Sequence, residues 1–523
     1  MRPRTLLVLL ALVLGLGAFI RFYERSQPSS EERARRAKHV LDFKKDQVTR
    51  LRIDAGGAQV LLERRRPPAP AGGAGKKAGQ SAAAGGPGAG GQAAEWRLLR
   101  PVAAPADASA IDRLLDDLNN LEQSRVLDTV VPADAGLDKP RATIAVTSQG
   151  EGGKAVEKVV KVGAAVPTGG SLILAVSGQP GAFVVGDSIL AELSKKPEEW
   201  RDRQLFHGER DSIERIAVDL RSQGGQGAQG GGARLLLARR GDRFWIESPF
   251  ADRADRDQVE KLLSDLTGLT AERFLDQPPP PPAKLAEYGL QPPRAVVEVV
   301  LAGRAQPLRI ELGSSRPATA PASPSPATPG SPPPAPETTG TLTYARLGGE
   351  ICETRSPLAE TIARPAAAWR SPTLAGLEVH QIESAVVRDA KGALSLSRSG
   401  TDWKRGKEAI SYLPVSELLF AVTEAKADKI LDPAEARPLA PSLATPLLTF
   451  ELKGGLAGND TLTLYPVLAG NPQGLQGVPA RAASRAALLL LPASKLKEIQ
   501  EKVDALRAAK PLPPEKPAQG KAK

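Results

Sequence analysis

Apolar and polar positions alternate along this chain with two periods, and the order of the periods repeats. Val48-Thr49-Arg50-Leu51-Arg52-Ile53 alternates as a half-buried strand does, and residues 59–64 follow as its partner. Trp96-Arg97-Leu98 predicts a third strand that runs into Pro101. Asp107 then stands as an N-cap before Ile111, Leu114, Leu115, Leu118 and Leu121, one apolar stripe at helical spacing. A short strand, Arg125-Val126-Leu127-Asp128, leaves the helix, and further strands are predicted at 142–146, 156–162, 171–176 and 182–185. A short helix over 188–193 leads to the exit Trp200-Arg201-Asp202.

The plan returns twice. In the second copy Trp245 and Pro249 answer Trp96 and Pro101, and Val259, Leu262, Leu263, Leu266 and Leu269 repeat the stripe after Asp255. Arg273-Phe274-Leu275-Asp276 repeats the helix exit, Gly289-Leu290 answers Gly136-Leu137, and Trp369-Arg370 answers Trp200-Arg201. The third copy is looser: Trp403, then Val415, Leu418, Leu419 and Val422 after Ser411, then Lys429-Ile430-Leu431-Asp432. A strand over 487–491 and a helix over 495–506 close it, and it has no counterpart of the Trp-Arg exit.

Strands outnumber helices and come in runs that helices do not interrupt at the spacing of a parallel sheet. The expected fold class is therefore α+β: a single N-terminal transmembrane helix, then three repeated modules, each a mostly antiparallel sheet with a covering helix. The tryptophans are expected under those helices as core. The expected layout is a membrane anchor (1–23), a charged stalk (24–40), module 1 (41–206), module 2 (207–376), module 3 (377–508) and a disordered Lys/Pro tail (509–523). Segments 66–94, 222–232, 277–283 and 314–340 are rich in Gly, Ala, Pro, Ser or Thr. Such segments cannot bury enough apolar surface to offset their ordering entropy, so they are expected to be disordered inserts.

The anchor rests on residues 5–20, sixteen positions without a charge, preceded by Arg2 and Arg4. As a helix they span about 24 Å, slightly less than the ~30 Å hydrocarbon core, and Arg21, Phe22 and Tyr23 can extend the reach at the interface. A cleaved leader, cut near Gly15-Leu16-Gly17, is the competing reading; it would leave a very short leader. With an uncleaved anchor the chain sits in the cytoplasmic membrane as a single-pass protein, most of it extracytoplasmic.

Charge and composition add mostly exclusions. The net charge of +11 suggests nucleic acid, but residues 1–50 carry +6 and residues 495–523 carry +4. The modules are thus nearly neutral, without a basic face or basic residues interleaved with aromatics, and nucleic acid is not an expected partner. One cysteine, Cys352, can close no internal disulfide. His39, His207 and His380 occupy three different module positions, so no repeated metal or acid–base site emerges. Gly72-Gly73-Ala74-Gly75-Lys76-Lys77 departs from a phosphate loop at both ends, and Pro167-Thr168-Gly169-Gly170 reads as a hairpin turn. Ser494-Lys495-Leu496-Lys497 starts an amphipathic helix and has no Lys-Thr-Gly partner. Asp128, Asp276 and Asp432 recur after the helix-exit strand, where a shared turn or cap explains them. No catalytic, cofactor-binding or metal residue is assigned, and no cofactor is expected.

The basic-apolar amino terminus, Phe43-Lys44-Lys45-Asp46-Gln47-Val48-Thr49, the Trp96–Pro101–Asp107 approach to the helix, Val126-Leu127-Asp128, Gly136-Leu137 and Trp200-Arg201-Asp202 form a recognisable set. With them the chain resembles the bacterial domain-of-unknown-function 4340 family, most strongly over the first two modules. The resemblance implies a membrane-anchored extracytoplasmic protein, often encoded beside an ABC-type exporter and a gliding-motility-type auxiliary subunit; it carries no catalytic residues. The expected function is a non-enzymatic accessory component of an envelope ABC-type transport system, partnered by its permease, ATPase and auxiliary subunit and by the bilayer through residues 5–20. The alternative is a free-standing periplasmic scaffold holding a ligand, such as cell-wall glycan, between modules.

Overall fold

The computed structural model describes residues 38–65, 95–150, 153–167, 169–221, 234–319, 338–400, 402–468 and 474–512. The chain divides into two compact units, Met1–Arg203 and Gln204–Lys523. The first holds module 1 and the second holds modules 2 and 3. The expected anchor, the stalk up to residue 37 and the inserts 66–94 and 222–232 lie outside the described residues. Among the described residues no helix is long and apolar enough to cross a membrane.

Each module contains one nine-stranded sheet, antiparallel throughout. Counting strands within a module, the spatial order is 4-3-2-1-6-7-8-9-5 in all three. Alternation along the strands turns one face toward a helix: Leu51 and Ile53, Leu62, and Trp96 and Leu98 are buried on successive strands of module 1. The helix Ala108–Asn119 lays Ile111, Leu114, Leu115 and Leu118 on that face. In module 2 the helix Arg256–Thr267 does the same with Val259, Leu262, Leu263 and Leu266. Asp107 and Asp255 cap these helices, accepting from the amides of Ala110 and Gln258 at 3.0 and 2.9 Å. In module 3 the helix Tyr412–Thr423 starts after Ser411, whose side chain makes no cap bond.

Strand register corrects the expected pairing of the tryptophans. Trp96 lies opposite Arg64, and the residue in the same place opposite Arg239 is Phe244, not Trp245. Trp403 lies opposite Arg398. Phe244 is therefore the core aromatic of module 2, and Trp245, one residue on, points to the other face and is only half-buried beneath the Arg240 guanidinium at 5.4 Å. The three opposing arginines share a task. Arg64, Arg239 and Arg398 donate to carbonyls of the 3₁₀ turns that lead into the first strands: Lys45 and Asp46, Arg210, and His380 respectively.

The repeated Gly-Leu pairs mark a second shared device. Gly136 and Gly289 both have φ +67°, the left-handed region where glycine carries no Cβ penalty. Their turn packs on the seventh strand at Gly163 and Gly313, where an added Cβ would lie 2.2 Å from the Ala135 carbonyl and 2.1 Å from that of Tyr288. Ala164 and Ser314 donate to those same carbonyls at 2.8 Å. The seventh strand of module 1 therefore runs through Gly163 to Ala165, past the expected end at 162, with an irregular register at the glycine.

Three segments read as disordered are partly in place. Strands Leu308–Thr319 and Thr338–Leu347 run into both ends of the 314–340 insert and pair with each other; residues 320–337 lie outside the described residues. The proline run within 277–283 leads directly into the helix Pro282–Glu287. Proline at the first turn lacks an amide that would be unpaired anyway, and its fixed φ suits the helix. The tail is bound at its start, because Pro511 bridges to Ile410 and the Leu512 amide donates to the Ala409 carbonyl at 2.8 Å. At the other end, residues 38–40 of the expected stalk belong to module 1. His39 bridges to Glu122, and the Val40 amide donates to the Leu121 carbonyl at 3.0 Å.

Module 3 closes differently. Where modules 1 and 2 use the short helices Ile189–Leu193 and Leu358–Ile362 followed by a buried tryptophan, module 3 uses the long helix Ala493–Ala508. Leu496, Ile499, Val503 and Leu506 bury one stripe of it in the module core, and Arg405 donates to the Leu506 and Arg507 carbonyls at its end.

Candidate functional site

The connection from module 2 to module 3, residues 370–374, is a short segment with an isolated β-bridge to each side. Toward module 2, Arg370 bridges to Ala254, the Asp255 amide donates to the Trp369 carbonyl at 2.7 Å, and the Ser371 amide donates to the Arg253 carbonyl at 2.9 Å. Toward module 3, Thr373 bridges to Lys426, and the Leu374 amide donates to the Ala425 carbonyl at 2.9 Å.

A buried ionic cluster closes this junction. The Asp252 carboxylate, with no exposed surface, accepts from Arg370 Nε and from Arg485 at 2.7 Å each and from the Arg253 amide at 2.8 Å. Arg370 continues to Asp432 at 2.8 Å and lies over the Phe250 ring at 4.6 Å. Arg485 comes from the loop before the last strand of module 3 and also donates to the Ser371 carbonyl at 2.9 Å. Arg253 donates to the Thr373 and Leu374 carbonyls at 3.0 and 2.6 Å. Burial, and next the Arg485 charge, push the Arg253 guanidinium down to about 10, with Asp460 and Asp252 pulling the other way. Burial likewise lowers Arg485, opposed by Asp252. Asp460 stands by, accepting from the Gly376 amide at 2.9 Å and Ser484 Oγ at 2.8 Å. Enclosed on every side, Asp252 can reach no substrate; the cluster fastens module 3 to module 2.

Beside the fastener the two modules leave a cleft of about 810 Å³. One wall carries the start of the module 2 helix, the other the module 3 helix with Tyr412, Phe420 and Thr423. Tyr412 and Phe420 are 56% and 53% exposed, unusual for aromatics on a covering helix. Most charged side chains at the cleft are already engaged: Arg210 with Glu260, Arg243 and Arg256 with Glu378, and Arg239 and Arg398 with backbone carbonyls.

The residues singled out in the sequence are scattered. His39 Nδ1 lies 2.7 Å from the Asn119 carbonyl at the end of the first helix, His207 is exposed, and His380 sits 3.4 Å from Glu378 at the cleft. Cys352 is buried in the strand Glu350–Thr354. Gly169 and Gly170 lie in the hairpin between the seventh and eighth strands of module 1, both at positive φ, and Ser494-Lys495-Leu496-Lys497 lies in the closing helix. The glycine-lysine run 72–77 lies outside the described residues. Asp432 precedes the short helix Pro433–Ala436, its amide donating to Glu435 at 2.9 Å, while its carboxylate serves Arg370. Among the described residues no three His, Cys, Asp or Glu side chains converge to hold a metal.

One comparison with known families matches the repeated part of the chain. The family described as domain of unknown function (DUF4340) matches residues 96–293 and, in a second match, residues 245–321. By its first two modules the chain belongs to this family. The second match opens at Trp245, 149 residues after the first opens at Trp96, so the family's unit overlaps the repeat. No curated protein and no solved structure matches the chain.

Asp252, Arg485, Tyr412 and Phe420 went unmarked in the sequence. Two signals were available. Asp252-Arg253 breaks the repeat where module 1 has Ala104-Pro105, and the third helix carries Tyr412, Leu413 and Phe420 outside its buried stripe, where a surface helix is usually polar.

Proposed function

We propose that this DUF4340 protein is a membrane-anchored, extracytoplasmic scaffold acting as a non-enzymatic accessory component of an envelope ABC-type transport system. Residues 5–20 would hold it in the cytoplasmic membrane, and the modules would meet the permease, ATPase assembly and auxiliary subunit. The observation that carries this reading is the junction at residues 370–374. A segment bridged to both neighbours and closed by a buried Asp252–Arg370–Arg485 cluster fastens two modules together, which suits a presenter of fixed surfaces. The test is co-purification of the full-length, carboxyl-tagged protein from its own membranes in mild detergent. Stoichiometric permease and ATPase are expected; recovery of the protein alone would sink the transport reading.

A second reading, a free-standing envelope scaffold that binds a ligand between modules, is supported by the aromatic cleft beside Tyr412 and Phe420. In that case the purified protein carries its ligand without any transport subunit.

A further inference from the structure

We propose that module 3 carries a docking face for module 1 of a second copy of this chain, built on the plan of the 2–3 junction with its charges reversed. The inference goes beyond the scaffold reading and holds with or without transport subunits.

Backbone comes first. Module 3 lacks the Trp-Arg exit but keeps its route. Pro511 bridges to Ile410 as Arg370 does to Ala254, and the Leu512 amide donates to the Ala409 carbonyl as the Ser371 amide does to that of Arg253. Leu512 therefore stands in the place of Ser371. Module 1 opens as module 3 does. His39 bridges to Glu122 as Thr373 does to Lys426, and the Gln123 amide donates to the Lys38 carbonyl as the Ala427 amide does to that of Pro372. Lys38 therefore stands in the place of Pro372. Leu512 and Lys38 occupy the two consecutive places at which module 2 passes to module 3.

Burial marks the first of these places. Ser371 is 9% exposed, its carbonyl taken by Arg485 of the following module. Leu512, on the same backbone position, is 46% exposed. One open leucine shows only that the place is uncovered; charge decides what fits it.

At the 2–3 junction Arg243 and Arg256 meet Glu378 at 3.1 and 2.8 Å. Arg243 precedes Phe244, and Trp403 holds the place of Phe244, so module 3 has Asp402 where module 2 has Arg243. Tyr412 follows Ser411 as Arg256 follows Asp255, so neither cation is kept. Glu378 precedes the 3₁₀ turn Val379–Gln381, and the matching turns Lys45–Gln47 and Arg210–Ser212 are preceded by Lys44 and Glu209. Of the three entry turns, module 1's alone begins with a cation. Asp402 thus attracts module 1 and repels the entry of module 2 or 3. Lys44 and Asp402 are exposed, and neither has an ion partner among the described residues. A second position repeats the reversal. Asp460 accepts from the Gly376 amide, whereas in module 1 Lys158 donates to the carbonyl of Asp42, which holds the place of Gly376. Glu408, in the place of Asp252, is already paired with Arg405 at 3.0 Å, so Asp402 carries the selection. An exposed ion pair selects more than it holds. Because the exit face of one copy meets the entry face of another, copies add head to tail and do not close as a symmetric pair.

The test uses the full-length protein in mild detergent. One copy carries Asp402→Cys and one tag, a second carries Lys44→Cys and a different tag, and the natural Cys352 is buried. Mixed and treated with a short bis-maleimide, they are expected to give a cross-linked product bearing both tags, in much greater yield than either variant gives with itself. No such product, or an equal yield from Asp402→Cys alone, overturns the proposal. Sedimentation of the protein with its natural Lys44 and Asp402 is expected to show an average mass that rises with concentration past the dimer. Lys44→Glu and Asp402→Lys should each raise Kd several-fold with thermal unfolding unchanged, and the two together in one chain should restore it. Leu512→Arg should weaken association as well. A monomer at every concentration, a mass that stops at the dimer, or no restoration in the double variant overturns the proposal.

Discussion

Modules 1 and 2 leave their sheets by the same backbone route with different side chains. In both, the residue before the helix cap bridges to the exit arginine, Ala106 to Arg201 and Ala254 to Arg370. In both, the cap amide donates to the exit tryptophan carbonyl, at 2.9 Å from Asp107 to Trp200 and 2.7 Å from Asp255 to Trp369. The fourth strand differs: Ala104-Pro105 in module 1, Asp252-Arg253 in module 2. The backbone frame and the buried exit arginine belong to the repeat, and the Asp252-Arg253 pair belongs to module 2. Repetition thus specifies the fold, and departures from it mark what a particular copy does.

Breaking the departure should cost most. Asp252→Ala leaves Arg370 and Arg485 buried without their shared carboxylate, an expected loss of about 3–5 kcal/mol in denaturant unfolding of the 204–523 unit. Replacing all three residues by Leu and Met should recover most of that loss; an equally large loss in the triple variant would show that packing, not charge, holds the junction. The register of the aromatics gives the next contrast. Trp96→Ala is expected to cost about 3–5 kcal/mol as a core truncation, whereas Trp245→Ala, half-buried on the opposite face, should cost about 1 kcal/mol or less. Equal losses would restore the Trp96–Trp245 equivalence.

Shared devices should fail equally in both copies. Gly163→Ala and Gly313→Ala each push a Cβ into a backbone carbonyl, and each is expected to cost about 1–3 kcal/mol by thermal unfolding. The caps follow. Asp107→Ala and Asp255→Ala should each lose about 1 kcal/mol, while Ser411→Ala, which forfeits no cap bond, should lose only about a few tenths. A loss at Ser411 equal to the other two would overturn that ranking.

The smallest effect is a pH dependence confined to module 1. Asp117 is held above the usual 3.8 by burial, then by the Glu192 and Asp116 charges, against Lys195 and Arg113. Its folded state therefore keeps the proton longer than the unfolded chain, so its contribution to stability falls as pH rises through and just above 3.8. Asp117→Asn should equal wild type at acid pH and become slightly more stable than it toward neutrality, measured by unfolding at a series of pH values.

Much of this architecture was legible in the chain. Period-two strands, the Ile111–Leu118 and Val259–Leu266 stripes and the aspartate caps are local, and local periodicity is what a sequence displays. The Trp96 partner was misread because Phe244 and Trp245 are adjacent and only strand register separates them. A one-residue slip moves a side chain to the other face. The seventh-strand glycines were missed because their reason lies in the Ala135 and Tyr288 carbonyls, which approach from another part of the module. Arg485 reaches Asp252 across 233 positions, a distance over which no spacing rule operates.

The doubly bridged segment 370–374 also has a mechanical consequence. Backbone bonded to the module behind it and the module ahead of it contains little slack. Tension along the 204–523 unit would pass from one module to the next through bonds loaded together, with Asp252 clamping the overlap as a rivet does. Stretched at its ends, this unit should behave as a spliced beam, not as beads on a string, extending little until the splice and its rivet give way in one event.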